Sequence, residues 1–345
     1  MKRNAEPSRV PPEPERPASA PASDAERESH EISWDFYMKL ADGLVQLDRR
    51  EEAMEYLSRA VTEAFALGSC DPRLANSLNA LGVLHSRAGN EGKAQRLFRR
   101  AIGIYSKSLG PEHPETLGAR YNLASACKLR GDYEAAAAEG ERALADAERT
   151  YGPNHIEIAL LLDLLGEVYI ALNRRAAALF ALERALAIKE NTGASGWELA
   201  VTLGKLGEFY LSEGKYGECE PLLIRALNIK QQILGKHDPS LAADLKRLAE
   251  VYTAQGRPHT AEPLLETSAA MLERALGGKH PDIVPALNRL ARVYREQARV
   301  SEAARLLEIS LAILKSLRAP KRADAEVTLE FYSEMLRVLN LEASA

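Results

Sequence analysis

The chain has 345 residues, 46% of them hydrophobic, a formal net charge of −4 and three cysteines. The hydrophobic fraction is ample for a core, the charge makes no general case for nucleic acid or an anionic membrane, and the cysteines show neither a Cys-x-x-Cys pair nor a zinc spacing. No stretch approaches the ~20 apolar residues of a membrane helix, and Met1-Lys2-Arg3 leads into Pro, Glu and Ser instead of an apolar run.

Residues 1–30 hold Pro7, Pro11, Pro12, Pro14, Pro17 and Pro21 and few large apolar side chains. Such a segment cannot repay the entropy of ordering, so a disordered tail is expected. From there to residue 318 one unit recurs. The Leu marker stands at Leu40, Leu81, Leu123, Leu165, Leu206, Leu248 and Leu290, in steps of 41 or 42. Thirteen residues after each comes Ala53, Ala94, Ala136, Ala178, Cys219, Ala261 or Ala303. Seven further on comes Ala60, Ala101, Ala143, Ala185, Ala226, Ser268 or Ser310. A fixed period of this length means a stacked repeat array. The seven units run about 34–72, 73–114, 115–156, 157–198, 199–239, 240–281 and 282–318.

Each marker has a physical job. The residue after the Leu is always Gly or Ala, as at Gly82, Gly166 and Gly207, so another helix can approach closely there. Tyr169, Tyr210, Tyr252 and Tyr294 lie one turn beyond their Leu and share its helical face. Gly89, Gly131, Gly214 and Gly256, eight beyond the Leu, end the first helix. Each unit therefore reads as helix, tight turn, helix, longer loop. Pro221 and Pro263 are expected in or near the first turn of the second helix, since deeper placement costs about 3 kcal/mol or more. Trp197 replaces the His-Pro element of the other closing loops and is expected to cap the local core, the alternative being an exposed contact. Residues 319–345 begin with the Ala319-Pro320 break and continue in one helix, about Arg322 to Leu341, with Phe331 in the Leu slot and Met335 in the Tyr slot. It reads as a C-terminal cap.

No constellation for catalysis is visible. His113, His155 and His280 belong to a repeated loop and His237 lies one residue off that column. Loops of successive repeats stand about 10 Å or more apart, from helix spacings of 8–10 Å, too far to share a zinc whose ligands lie near 2 Å. Loop-ordering hydrogen bonds account for them better. Gly277-Gly278-Lys279 lacks the frame of a phosphate loop, and Ser195 lacks the flanks of a nucleophile elbow. No metal, cofactor or enzyme activity is expected.

The Leu-Gly/Ala, Tyr, Gly-turn and Ala columns resemble the tetratricopeptide repeat. The 42-residue unit, with LGPEHPET at Leu109 to Thr116 and CEPLLIRALNIKQ at Cys219 to Gln231, is similar to the kinesin-light-chain type, without the heptad coiled coil that those chains carry before their repeats. The resemblance covers roughly residues 34 to 341. It implies an all-α, right-handed α-α superhelical solenoid of about seven helix-turn-helix units plus a capping helix.

It also implies ligand contacts along the first helices, which line the concave side in that family. The columns beside the Leu supply Asn79, Asn122, Lys205, Lys246, Arg247, Asn288, Arg289, Arg292 and Arg295. Asn can donate to and accept from an extended peptide backbone, and Arg and Lys can pair with carboxylates; the alternative is a solvated face of ordinary surface charges balanced by Glu208, Glu250 and Glu296. The expected protein is a cytoplasmic, non-catalytic scaffold that binds a protein or peptide, acidic by charge complementarity, with no nucleic acid and no membrane. A self-associating structural module (a homo-oligomer) or a regulatory subunit of a separate enzyme are the alternatives.

Overall fold

In the computed structural model, residues 23–194, 196–316 and 322–343 are described, and every element among them is helical. Two compact units, Met1–Arg130 and Gly131–Ala345, divide the chain within the third repeat, where the period alone predicts one continuous array. The first unit holds α1 (Asp24–Gln46), α2 (Arg50–Leu67), α3 (Pro72–Arg87), α4 (Glu91–Ser108) and α5 (Pro114–Leu129). The second holds α6 (Tyr133–Tyr151), α7 (Ile156–Ala171), α8 (Arg175–Thr192), α9 (Gly196–Ser212), α10 (Tyr216–Leu234), α11 (Ala242–Ala254), α12 (Pro258–Leu276), α13 (Val284–Glu296), α14 (Val300–Ser316) and α15 (Arg322–Ala343). Short 3-10 turns, Pro239–Leu241 and Pro281–Ile283, lead into α11 and α13.

The repeat columns explain the packing in both units. All seven residues of the first small column are fully buried, from Ala53 to Ala303, and the second column is buried throughout. The glycines after the marker Leu leave holes that a large residue fills. A Cβ added to Gly82 would meet Phe98 at 2.6 Å, one added to Gly166 would meet Leu182 at 2.6 Å, and one added to Gly207 would meet Leu223 at 2.6 Å. In each case the filling residue sits one turn after the small column on the second helix. A bulky side chain thus enters a bare stretch of backbone, the close packing of protein interiors.

The turn slot has a left-handed backbone in all seven repeats. Glycine fills it at Gly89, Gly131, Gly214 and Gly256, while Asp48, Asn173 and Ala298 adopt the same positive φ of 57°, 57° and 60°. The His loops are helix caps. Nδ1 of His113, His155 and His280 accepts from the backbone N–H of Glu115, Glu157 and Asp282 at 3.2, 3.3 and 3.3 Å. Asp71 and Asp238 make the same bond to Arg73 and Ser240. Each satisfies a donor that the first turn leaves unpaired.

Three expectations change. First, α1 starts at Asp24, seven residues inside the segment expected to be disordered. Ser23 and Glu26 form a reciprocal capping box there, and its Ser-x-x-Glu pattern was present in the sequence. The rest of that tail, 1–22, lies outside the described residues, as do Ser195 and Ala319-Pro320. Second, Pro221 and Pro263 are the sixth residues of α10 and α12, in the second turn. Both prolines are exposed, so water can reach the backbone carbonyl each deprives of its partner. Third, Trp197 is 44% exposed, with the Lys230 ammonium 5.9 Å from its ring centre, instead of closing the core.

Helix α15 packs on α14. Phe331 and Met335 join a core cluster with Leu290, Ala291 and Tyr294 of α13 and Leu307 of α14, as expected for the Leu and Tyr slots of a capping helix.

Candidate partner-binding site

The predicted contact columns lie on the first helices, and most of their cations are engaged sideways. Lys205 of α9 pairs with Glu167 of α7 at 2.5 Å. Arg247 of α11 pairs with Glu208 of α9, and with Asp244 on its own helix at 3.1 Å. Arg289 of α13 pairs with Glu250 of α11. The rule is constant: the cation before one marker Leu meets the Glu two residues after the previous marker Leu. At the last junction the order inverts, because Arg292 fills the Glu column. Arg295 of α13 then pairs with Glu334 of α15 at 3.1 Å, and its guanidinium lies 5.0 Å from the Phe331 ring centre. Apart from Asp244, which is buried and also pairs with Lys230 at 2.7 Å, these side chains are about one-fifth to one-half exposed, so each exposed pair contributes on the order of 0–1 kcal/mol.

In the first unit, Asn122 Nδ2 donates to Asn79 Oδ1 at 3.1 Å, a polar bridge between α5 and α3. Asn288 Nδ2 donates to Thr328 Oγ1 of α15 at 2.7 Å. Its Oδ1 is buried with no hydrogen-bond partner, the kind of group that native structures rarely leave unmatched.

Two predicted cations have no carboxylate in ion-pair range among the described residues. Lys246 of α11 is half-buried. Burial first, then the charges of Arg289 and Arg247, hold its ammonium below the ordinary lysine range, with Asp282 opposing. Arg292 is exposed, with its guanidinium 5.9 Å from the Phe331 ring centre. It lines a cavity of about 260 Å³ with Asn288, Arg289 and Val327, and a second of about 290 Å³ with Arg295 and Thr253. Charge and an unmatched acceptor therefore converge on repeats six and seven and the cap, while Asn79 and Asn122 lie in the other unit.

The sequence reading did not single out a buried ion pair. Lys189 of α8, Asp163 of α7 and Thr202 of α9 form a buried triad. It answers to a column irregularity: Asp163 stands where other repeats carry Asn79, Lys246 or Asn288. The cysteines are free, Cys127 and Cys219 being buried and Cys70 exposed. The Cys219 Sγ donates to the Gly207 carbonyl at 3.1 Å, and burial pushes its thiol up to about 11. A thiol so placed is a packing residue rather than a nucleophile. Among the described residues no helix is long and apolar enough to cross a membrane.

Stacked helix pairs with small-residue crossings and a left-handed turn between partners define an all-α helical-repeat protein. The tetratricopeptide repeat profile matches residues 35–107, 73–149, 118–191, 198–273 and 242–316, and the chain belongs to that family. Tetratricopeptide repeat proteins bind protein partners, and the fold is of that general scaffold class. The chain is 26% identical over 195 residues to "Protein KINESIN LIGHT CHAIN-RELATED 1" of Arabidopsis thaliana, a match spanning 56% of this chain and 32% of that relative. Among solved structures it is similar to BtubC (BKLC) from P. vanneervenii, with 25% identity, a TM-score of 0.58, and coverage of 67% of this chain and 94% of the other. It is also similar to a putative kinesin light chain with nearly identical repeats from Podosopora anserina. That likeness has 26% identity, a TM-score of 0.52, and coverage of 59% of this chain and 98% of the other. The repeats are of the kinesin-light-chain-like kind.

Proposed function

We propose that the chain is a non-catalytic cytoplasmic scaffold that holds an acidic protein or peptide segment against the first helices of repeats six and seven. One observation carries this reading: the lateral ion pairs consume Lys205, Arg247, Arg289 and Arg295 but leave Lys246 and Arg292 without an acid among the described residues. A carboxylate would answer Lys246 or Arg292. Preformed helices spare the protein side most of the ordering cost of binding. Two buried free cysteines and one exposed one suit a reducing compartment.

The test is affinity capture from a lysate of the source cell with wild type beside Lys246→Ala/Arg292→Ala. These changes break no ion pair, whereas Arg247→Glu would face Glu208 and Asp244 and disturb the fold. A protein held by wild type and lost by the double variant, with unchanged helical content by circular dichroism, supports the site. Equal capture by both sinks it.

A further inference from the structure

The first unit carries a second cationic site, on the second helix of repeat two. Helix α4 bears Lys93, Arg96, Arg99, Arg100 and Lys107 against the single acid Glu91. None of these five cations has a carboxylate in ion-pair range among the described residues, and all five are exposed. Lys93, Arg96 and Arg99, at helical spacing, border an open surface depression of about 510 Å³ with Arg130 at the end of α5. Gly89, Gly92 and Gln95 complete its wall. Glu91 also lines it, but its carboxylate accepts from Ser86 Oγ at 2.9 Å.

Two of the other six repeats carry a carboxylate in the slot that Gln95 fills, whereas the remaining four carry Met54, Ala137, Leu179 and Ala304. The residue after the small column on the second helix is Glu220 in repeat five and Glu262 in repeat six. Glu220 accepts from Arg257 at 3.1 Å and from Gln255 at 3.0 Å. Glu262 accepts from Arg299 at 2.6 Å and from Gln297 at 2.9 Å. In repeat two that slot is Gln95, 1% exposed. Its Oε1 accepts from Arg130 at 3.1 Å and its Nε2 reaches the Ala126 carbonyl at 3.4 Å. Where two later repeats supply a carboxylate from within, this one supplies a neutral amide and three further cations.

We propose that this depression binds a phosphorylated serine or threonine of a partner protein, whose phosphate takes the place of the absent carboxylate. A phosphomonoester carries about −1.5 to −2 charges and three acceptor oxygens at neutral pH, and arginine forks match that geometry in pairs. Gly89 and Gly92 have open space where a Cβ would stand, so a peptide backbone can come close. No aromatic ring lines the depression, so it offers no stacking platform for a nucleobase. Lys93, Arg96, Arg99 and Arg130 gather around this one depression instead of tracking a strand. The site is separate from the first helices of repeats six and seven and stands or falls independently of them.

The experiment is fluorescence anisotropy of the full chain with a fluorescein-labelled degenerate peptide pool centred on serine, phosphorylated and unphosphorylated. The phosphorylated pool is expected to bind at least tenfold tighter. Gln95→Glu, which restores the internal carboxylate and removes no cation, should weaken that binding tenfold or more. Arg96→Gln/Arg99→Gln, both at exposed positions, should do the same, while Lys246→Ala/Arg292→Ala should leave it unchanged. In amide NMR spectra, inorganic phosphate should move the Gly89 and Gly92 signals. Equal binding of the two pools, indifference to both α4 variants, or equal affinity for glucose 6-phosphate or a single-stranded RNA oligonucleotide would overturn the assignment.

Discussion

Lys189 Nζ lies 2.6 Å from Asp163 Oδ2, with the two side chains only 1% and 6% exposed. Thr202 Oγ1 sits 2.8 Å from the same ammonium, and the Glu198 carbonyl adds a third partner at 3.2 Å. The pair ties α7, α8 and α9 together at a point where most of the array relies on apolar contact. Charges buried this deeply cost much to desolvate, so the satisfied network matters more than the attraction alone.

Removing one member is therefore far worse than removing both. Asp163→Ala should destabilise the fold by about 3–5 kcal/mol, because it strands an ammonium in the core. Asp163→Leu/Lys189→Met should recover most of that loss. Urea unfolding followed by circular dichroism reads both, and an Asp163→Ala midpoint equal to wild type would refute the argument.

A second prediction concerns the bare backbone under Leu182. An added Cβ at Gly166 would lie 2.6 Å from Leu182 Cδ2 and 2.7 Å from its Cγ. Overpacking of this kind costs about 1–3 kcal/mol, against a gain of about 1 kcal/mol in helix propensity. Gly166→Ala should be net destabilising. Leu182→Val should cost less in the Gly166→Ala background than in wild type, and a double-mutant cycle showing no coupling would contradict the contact.

Acid should loosen the later repeats through Glu262 and Glu220. A hydrogen bond from Arg299 chiefly holds the Glu262 carboxyl below the usual range, and one from Gln255 chiefly does so for Glu220. Folded values below the unfolded value of about 4.3 mean stability that is fully present above that pH and lost as pH falls through the folded values. The gap in urea midpoint between wild type and Arg299→Gln should be constant from pH 7 to 5 and shrink towards pH 3. A gap that widens in acid would reverse the assigned sign.

The fold was legible because its columns repeat. A glycine or alanine after every marker Leu says that something packs there, though not that a leucine or phenylalanine one turn along the second helix fills the space. The early start of α1 was also written, as Ser23-x-x-Glu26, but the prolines before it drew attention away. The predicted columns lie on the first helix of each repeat. What a one-dimensional reading could not give was how the cations are shared out. Arg247 and Glu208 stand 39 positions apart, and only their meeting across two helices separates a paired cation from the unpaired Lys246. The Gln95 depression was hidden for a related reason: a neutral residue becomes informative only beside the glutamates that fill its slot in two other repeats.

The alternating charges along the first helices also make the repeats unequal as building blocks. Repeats five and six each present a cation on one side and a glutamate on the other, Lys205 with Glu208 and Arg247 with Glu250. A duplicated copy of repeat six, spliced in phase after itself, meets complementary neighbours at both seams. Repeat seven presents Arg289 on one side and Arg292 on the other, and a tandem copy of it would set arginine against arginine. The array can thus be lengthened from its middle, whereas its seventh link accepts only an acidic successor such as α15, with Glu330 and Glu334.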